Sequence, residues 1–310
     1  MFANGTLDNG TQVAEPGRRW FIPVAALVSV VVLGGTIAWG AGPAVSATST
    51  TARTAAASAT TQMALPAYFV GASSGTSSQF GLYREFVRTA MPVRATPAQK
   101  ASASLTLAMG SRPMTGTASY MRPWAGTTVR SVTVTPRLIT ITLSGPGVKG
   151  FTARQTKLAV QGLVWTAQAA VGQGPIPVKF ALANGSTRLF GTYPTNRTYN
   201  RPAMNLAYQD LAPIWITSPE LRQVFPARTP VVAKGESCAF EANTQWQLKK
   251  GRTLIRSGFT TASSGCPARG TWQVKLGVLA AGDYTFRMYE VSMANGKNLV
   301  ADTSKPFTVR

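Results

Sequence analysis

Between Trp20 and Trp39 the chain runs twenty residues, "WFIPVAALVSVVVLGGTIAW", without a charge. A helix of that length spans ~30 Å at ~1.5 Å per residue, the thickness of the bilayer's hydrocarbon core. Arg18 and Arg19 stand just before it and tryptophans bracket it, the arrangement of cytoplasmic cations and interfacial aromatic anchors. The pattern predicts a single membrane anchor at residues 20–40, behind a cytoplasmic tail at 1–19, with the rest of the chain extracytoplasmic. The small residues "AVSA" (Ala44–Ala47) offer secretion after cleavage near Ala47 as the alternative. Against cleavage, the apolar core exceeds the roughly 7–15 residues of a signal peptide.

Periodicity then disappears. Residues 41–63 are a low-complexity Ala/Ser/Thr tract with little to bury, which predicts a flexible linker. Globular density returns at residue 64, and "LPAYFVG" and "GLYREFVRTAM" read as strands. In "TPAQKASASLTLAMG", Thr96 is an N-cap, Pro97 the first helical residue, Gln99 the reciprocal cap and Gly110 the stop. Two β-rich runs around Pro136-Arg137 predict a hairpin. A second helix follows in "FTARQTKLAVQGLVWTAQAAVG", where Leu158, Val160, Leu163, Val164, Trp165 and Val171 occupy most of the circumference. A helix apolar all round is deeply packed. Asn184-Gly185 between two further runs is a hairpin signal. The order β-β-α-β-β-α-β-β predicts an α+β domain over 64–200, two helices on one face of a small mixed sheet.

From Pro213 the period shortens to strands broken by turns, with no convincing helix. Six or seven such strands in about a hundred residues predict an all-β immunoglobulin-like sandwich over 201–310.

Composition narrows the chemistry. The 310 residues include 31 Lys and Arg, 10 Asp and Glu, and no histidine. Gly71–Gly75 fit G-x-S-x-G, a nucleophile turn in many serine hydrolases. Ser73 has no histidine to take its proton, no lysine lies three residues after a serine, and no helix signal follows. A Gly/Ser-rich loop between strands is the better reading. The carboxylates Glu85, Asp210, Glu220, Glu236, Glu241, Asp283, Glu290 and Asp302 are scattered, without metal-ligand or glycosidase-like spacing. A hydrolase would require two of them to converge in one pocket. No nucleotide-binding motif is present, and two cysteines without histidine make no four-ligand zinc site. The expectation is a non-catalytic protein without metal or cofactor.

All basic residues except Arg18 and Arg19 follow the apolar segment, so the exported part is strongly basic. Export argues against nucleic acid and toward anionic wall polymer or the anionic membrane surface. Adaptation to an acidic exterior gives the same balance. Lys249, Lys250, Arg252 and Arg256 around one expected hairpin are the candidate polymer contacts. Cys238 and Cys266, an even pair outside the cytoplasm, suggest a disulfide, with two free buried thiols as the alternative.

"LVWTAQAAVGQGPIPVKFALANGS", with upstream "PWAGTTVRSVTV" and "ITITLS", resembles the GerMN domain of bacterial sporulation and spore-germination proteins over Leu65–Tyr193. Where that family commonly has an acidic residue before its L-S pair, this chain has Thr142. "FEANTQWQL" and "AAGDYTFRMYEVSMANGK…DTSKPFTV" resemble the immunoglobulin-like domain of bacterial spore germination proteins, which commonly follows GerMN. The paired resemblance implies a membrane-tethered protein that acts by binding and assembly in sporulation, germination or envelope organisation. Its implied partners are envelope or spore-associated proteins, or further copies of itself.

Overall fold

The two leading apolar runs form one long antiparallel hairpin, β1 (Thr60–Ser73) with β2 (Thr76–Pro92). The structure, a computed structural model, describes residues 59–73, 76–110, 119–292 and 295–310. The expected anchor at 20–40 lies outside the described residues, and among these no helix is long and apolar enough to cross a membrane. β1 starts at Thr60, inside the stretch expected to be linker, because Thr60–Gln62 pair with Pro92–Ala90 of β2. Ser73 closes β1 and pairs with Thr76 at the start of β2. It lies on a strand-to-strand connection, without the strand-to-helix turn of a nucleophile serine. β3 (Ser119–Tyr120) adds a short third strand beside β1.

Both helices begin as their capping residues dictate. In α1 (Pro97–Met109) the Thr96 hydroxyl accepts from Gln99 N–H at 3.2 Å, and Thr96 N–H donates to the Gln99 side chain at 2.8 Å. Thr152 and Gln155 repeat the reciprocal pair, at 3.3 and 2.9 Å, ahead of α2 (Ala153–Val171). α2 stops at Gly172, whose φ of 71° suits glycine. Leu158, Val160, Leu163, Val164, Trp165 and Val171 are all buried.

The expectation of helices on one face of one sheet is corrected. A second sheet runs β4 (Val129–Thr135), β5 (Leu138–Leu143), β6 (Val178–Leu182) and β9 (Thr198–Tyr199), and α2 is the crossover between the parallel strands β5 and β6. The helix also packs on the β1–β2 hairpin: Tyr68 N–H donates to Thr166 Oγ1 at 3.0 Å. At Gly162 a Cβ would sit 3.3 Å from the Tyr68 carbonyl, so glycine allows helix and strand to approach closely. A helix apolar on every side needs cover on every side, and one sheet face supplies only half. The expected hairpin at Asn184-Gly185 is corrected too. The turn forms, with Gly185 at φ 78°, but β7 (Arg188–Leu189) pairs with β8 (Tyr193–Pro194). β6 is paired along its whole length by β5 and at Val178 and Lys179 by β9.

The remaining strands make a sandwich. One sheet is β10 (Ile214–Ser218), β12 (Pro230–Ser237) and β15 (Gly270–Val278), in the order β10-β12-β15. The other contains β11 (Gln223–Phe225), β13 (Asn243–Lys250), β14 (Thr253–Thr261), β16 (Gly282–Val291) and β17 (Leu299–Val309), in the order β11-β17-β16-β13-β14. Leu248, Trp272, Leu276, Phe286, Met288 and Phe307 meet between the sheets. Alternation along β15 (Gly270, Trp272, Val274 and Leu276 buried, their neighbours exposed) is the period-2 signature of one buried face.

β2 joins this sandwich to the helical layer. Leu82 O accepts from Ala212 N–H and from Trp215 Nε1–H, both at 2.9 Å, and Leu82 N–H donates to Asp210 O at 2.8 Å. Arg84 pairs with Glu236 at 2.5 Å and Arg88 with Glu220 at 2.7 Å. Glu85 is ion-paired with Lys305 of β17 and accepts from the Tyr120 hydroxyl at 2.6 Å. The Arg84 and Arg269 guanidiniums lie over Trp215, at 4.7 and 4.0 Å from a ring centroid. The described residues belong to one compact unit.

Candidate functional site

Basic residues outnumber carboxylates threefold, so the carboxylates that stay without a cation are informative. Glu85, Asp210, Glu220, Glu236 and Asp302 are all ion-paired. Asp283 accepts from the Thr308 hydroxyl at 2.7 Å. Glu241 and Glu290 have no ion-pair partner among the described residues, and they line the same hollow. Its volume is about 380 Å³, and Phe240, Gln245, Ser257, Phe259 and Tyr289 are among its other lining residues. Strand register explains the convergence: Gln245 is opposite Phe259 on one side and Tyr289 on the other, so all three share the outer face of the sheet. Trp246 and Leu248 turn the opposite way, toward the core.

The hollow sits beside an unusual loop. Glu241 and Ala242 follow one another in left-handed conformations, φ 50° and 60°, which non-glycine residues rarely adopt. Glu290 accepts from Phe240 N–H at 3.0 Å. Burial pushes the Glu290 carboxyl above its ordinary value, and that backbone hydrogen bond opposes the rise. Two carboxylates therefore do meet in one pocket, where linear sequence spacing shows them scattered. Each of these residues reads singly as a surface acid or core aromatic, so only strand register could have found the site.

β14 runs along the rim of this hollow as the last strand of its sheet, with β13 on one side only. Eight of its nine residues are exposed, among them Leu254, Ile255 and Phe259. Such an edge presents unpaired backbone donors and acceptors to any added strand.

The four candidate polymer contacts surround the β13–β14 tip. Lys250 Nζ donates to Ala281 O at 2.8 Å and lies over the Tyr284 ring, and Arg256 donates to Leu276 O on the facing sheet. Arg256 pairs with buried Leu248 and its guanidinium reaches across to the facing sheet, although the residue itself stays exposed. Lys249 and Arg252 have no carboxylate within ion-pair distance among the described residues. The four are thus neighbours in space, with two tethered and two open. Among the described residues no three His, Cys, Asp or Glu side chains gather as metal ligands would.

Cys238 and Cys266 form a disulfide that ties the end of β12 to the loop before β15. An oxidised pair of this kind fits an extracytoplasmic location.

One comparison is decisive for the sandwich. Residues 213–297 match the immunoglobulin-like domain of bacterial spore germination. Every strand of the sandwich except β17 falls wholly within that span. That match does not extend to residues 65–193, which resemble GerMN, and no curated protein matches the chain. Similar solved structures include CopC from Methylosinus trichosporium OB3b, 18% identical over 31% of this chain and 92% of that one, with a TM-score of 0.23. An engineered protein is 11% identical over 54% of this chain and 39% of its own, with a TM-score of 0.26. Scores this low carry no argument about fold or function.

Proposed function

We propose that this is a non-catalytic, membrane-tethered protein that acts outside the cytoplasm by binding and assembly, in spore germination or the related organisation of the envelope. The carrying observation is the germination-type sandwich at 213–297 with its unpaired strand β14 exposed along one edge. A germination-related role follows from the family of that module. The GerMN-like reading of residues 64–200 and the anchor at 20–40 extend it to a protein that holds an assembly module at a membrane surface. Edge strands recruit protein partners by extending a sheet, with backbone hydrogen bonds for affinity and flanking side chains for specificity.

The converging pair Glu241 and Glu290 makes the non-catalytic reading directly testable. Incubated with isolated cell-wall sacculi, the full chain is expected to release no soluble fragments. Release that Glu290→Gln abolishes overturns the reading in favour of a hydrolase.

A second reading, attachment to anionic wall polymer, is favoured by the two open cations at the β13–β14 tip, Lys249 and Arg252. Co-sedimentation with sacculi that falls steeply with added salt supports it. Sacculi that fail to carry the protein down at low salt overturn it.

A further inference from the structure

We propose that β14 pairs antiparallel with β14 of a second copy of this chain, about a two-fold axis at Ser257, joining two five-stranded sheets into one. This rests on the reading of the sandwich as a binding module, and names its partner.

Three observations lead to a second copy. The strand exposes apolar side chains along its edge. It has no proline, and its protection is limited to one inward-turned charge, Arg256, and one register shift against β13 at Ile255. Leu254, Ile255 and Phe259 are left exposed at 50%, 44% and 70%.

The two ends of the strand also carry opposite charge. Lys249 and Arg252 stand at its start, while Glu241 and Glu290 stand at its finish beside Phe259. Nine residues of strand cover about 30 Å, so Arg252 at the tip cannot pair with Glu241 of its own copy. Antiparallel pairing brings each tip to the other copy's hollow. Parallel pairing would set like charges together, which is destabilising.

The register centred on Ser257 then satisfies both ends at once. Ile255 lies opposite Phe259 of the second copy, and Leu254 opposite its Thr260. Arg252 arrives opposite the second copy's Ala262, whose N–H donates to Ala242 O at 2.8 Å and which is therefore adjacent to Glu241. Each contact occurs twice, as a two-fold interface requires. An acidic hollow with no cation paired to it among the described residues, in a chain of +21 net charge, is thereby matched to the chain's own open cations.

Sedimentation velocity of the full chain in detergent, over a concentration series, tests the pairing. A monomer–dimer equilibrium that weakens with salt is expected. Ile255→Lys combined with Phe259→Lys, both exposed positions, should weaken it at least tenfold. Glu241→Lys and Arg252→Glu should each weaken it. Mixing these two variants should restore dimers, because the reversed charges at positions 241 and 252 then face one another across the interface.

Register is tested by cysteines, with the native disulfide left in place. Under oxidation Ser257→Cys should give a covalent dimer, since the two copies of residue 257 would be direct cross-strand neighbours. Thr253→Cys should not, because its own copy would lie about 27 Å away. A chain that stays monomeric overturns the proposal. So does a dimer indifferent to the lysine substitutions, or one cross-linked at 253 and not at 257. A monomer that still leaves sacculi intact overturns this pairing alone, whereas Glu290-dependent hydrolysis overturns the proposed function.

Discussion

Lys305 of β17 and Glu85 of β2 form an ion pair where neither side chain meets water, at 2% and 3% exposure. The Tyr120 hydroxyl donates to the same carboxylate, so one buried cluster fastens the sandwich to the hairpin that carries the helical layer. Removing one partner of such a pair strands the other as an uncompensated buried charge.

Glu85→Gln is therefore expected to lower stability by about 3–5 kcal/mol, read from denaturant midpoints below about pH 7, where the Lys305 ammonium holds its proton. Glu85→Gln combined with Lys305→Met should recover most of that loss. A double variant no more stable than Glu85→Gln would show that the charge itself is not what matters.

Burial pushes the Lys305 ammonium from its ordinary 10.5 down to about 7, while the Glu85 carboxylate pulls the other way. The unfolded chain keeps this proton up to about pH 10.5, and the folded chain releases it near 7. Between those values the unfolded state binds more protons, so this group makes stability rise with pH. Below about 7 both states hold the proton and the contribution is flat. The difference in stability between the native chain and Lys305→Met should change across pH 7–10.5. A constant difference over that window would refute the shift.

The disulfide closes a separation of 28 residues, for which the loop-entropy relation gives about 3–4 kcal/mol. Cys238→Ser with Cys266→Ser should lower the sandwich's stability by roughly that amount in urea. A change below about 1 kcal/mol would mean that the unfolded chain is already constrained there.

Gly235 of β12 lies under two groups with nowhere to go. A Cβ there would strike the Trp215 carbonyl and the Trp272 indole, both in the sandwich's packed strands. Gly235→Ala should cost about 2–3 kcal/mol, a fall in Tm of roughly 5–10 °C. A Tm within a degree of the native chain's would show that the strands can separate to admit a methyl.

Local structure was legible wherever a single segment decides the outcome. Thr96 with Gln99, and Thr152 with Gln155, mark helix starts through bonds made within four residues of chain. The full apolar circumference of α2 announced its burial. It did not announce that two sheets would share it, nor that β6 would be flanked by β5 and β9 and leave the Asn184-Gly185 turn without its hairpin. Partner choice among strands depends on which edges other segments have already filled, and no local pattern records that.

The basic balance, the lack of histidine chemistry, the helix boundaries, the sandwich period and the cysteine pair could all be read along the chain. These are properties of composition or of neighbours along the chain. That Glu85 meets Lys305 from far along the chain, that Glu241 and Glu290 share a hollow, and that β14 is left as an edge emerged only on folding. Each depends on strands distant in sequence lying side by side, where register alone sets which side chains share a face.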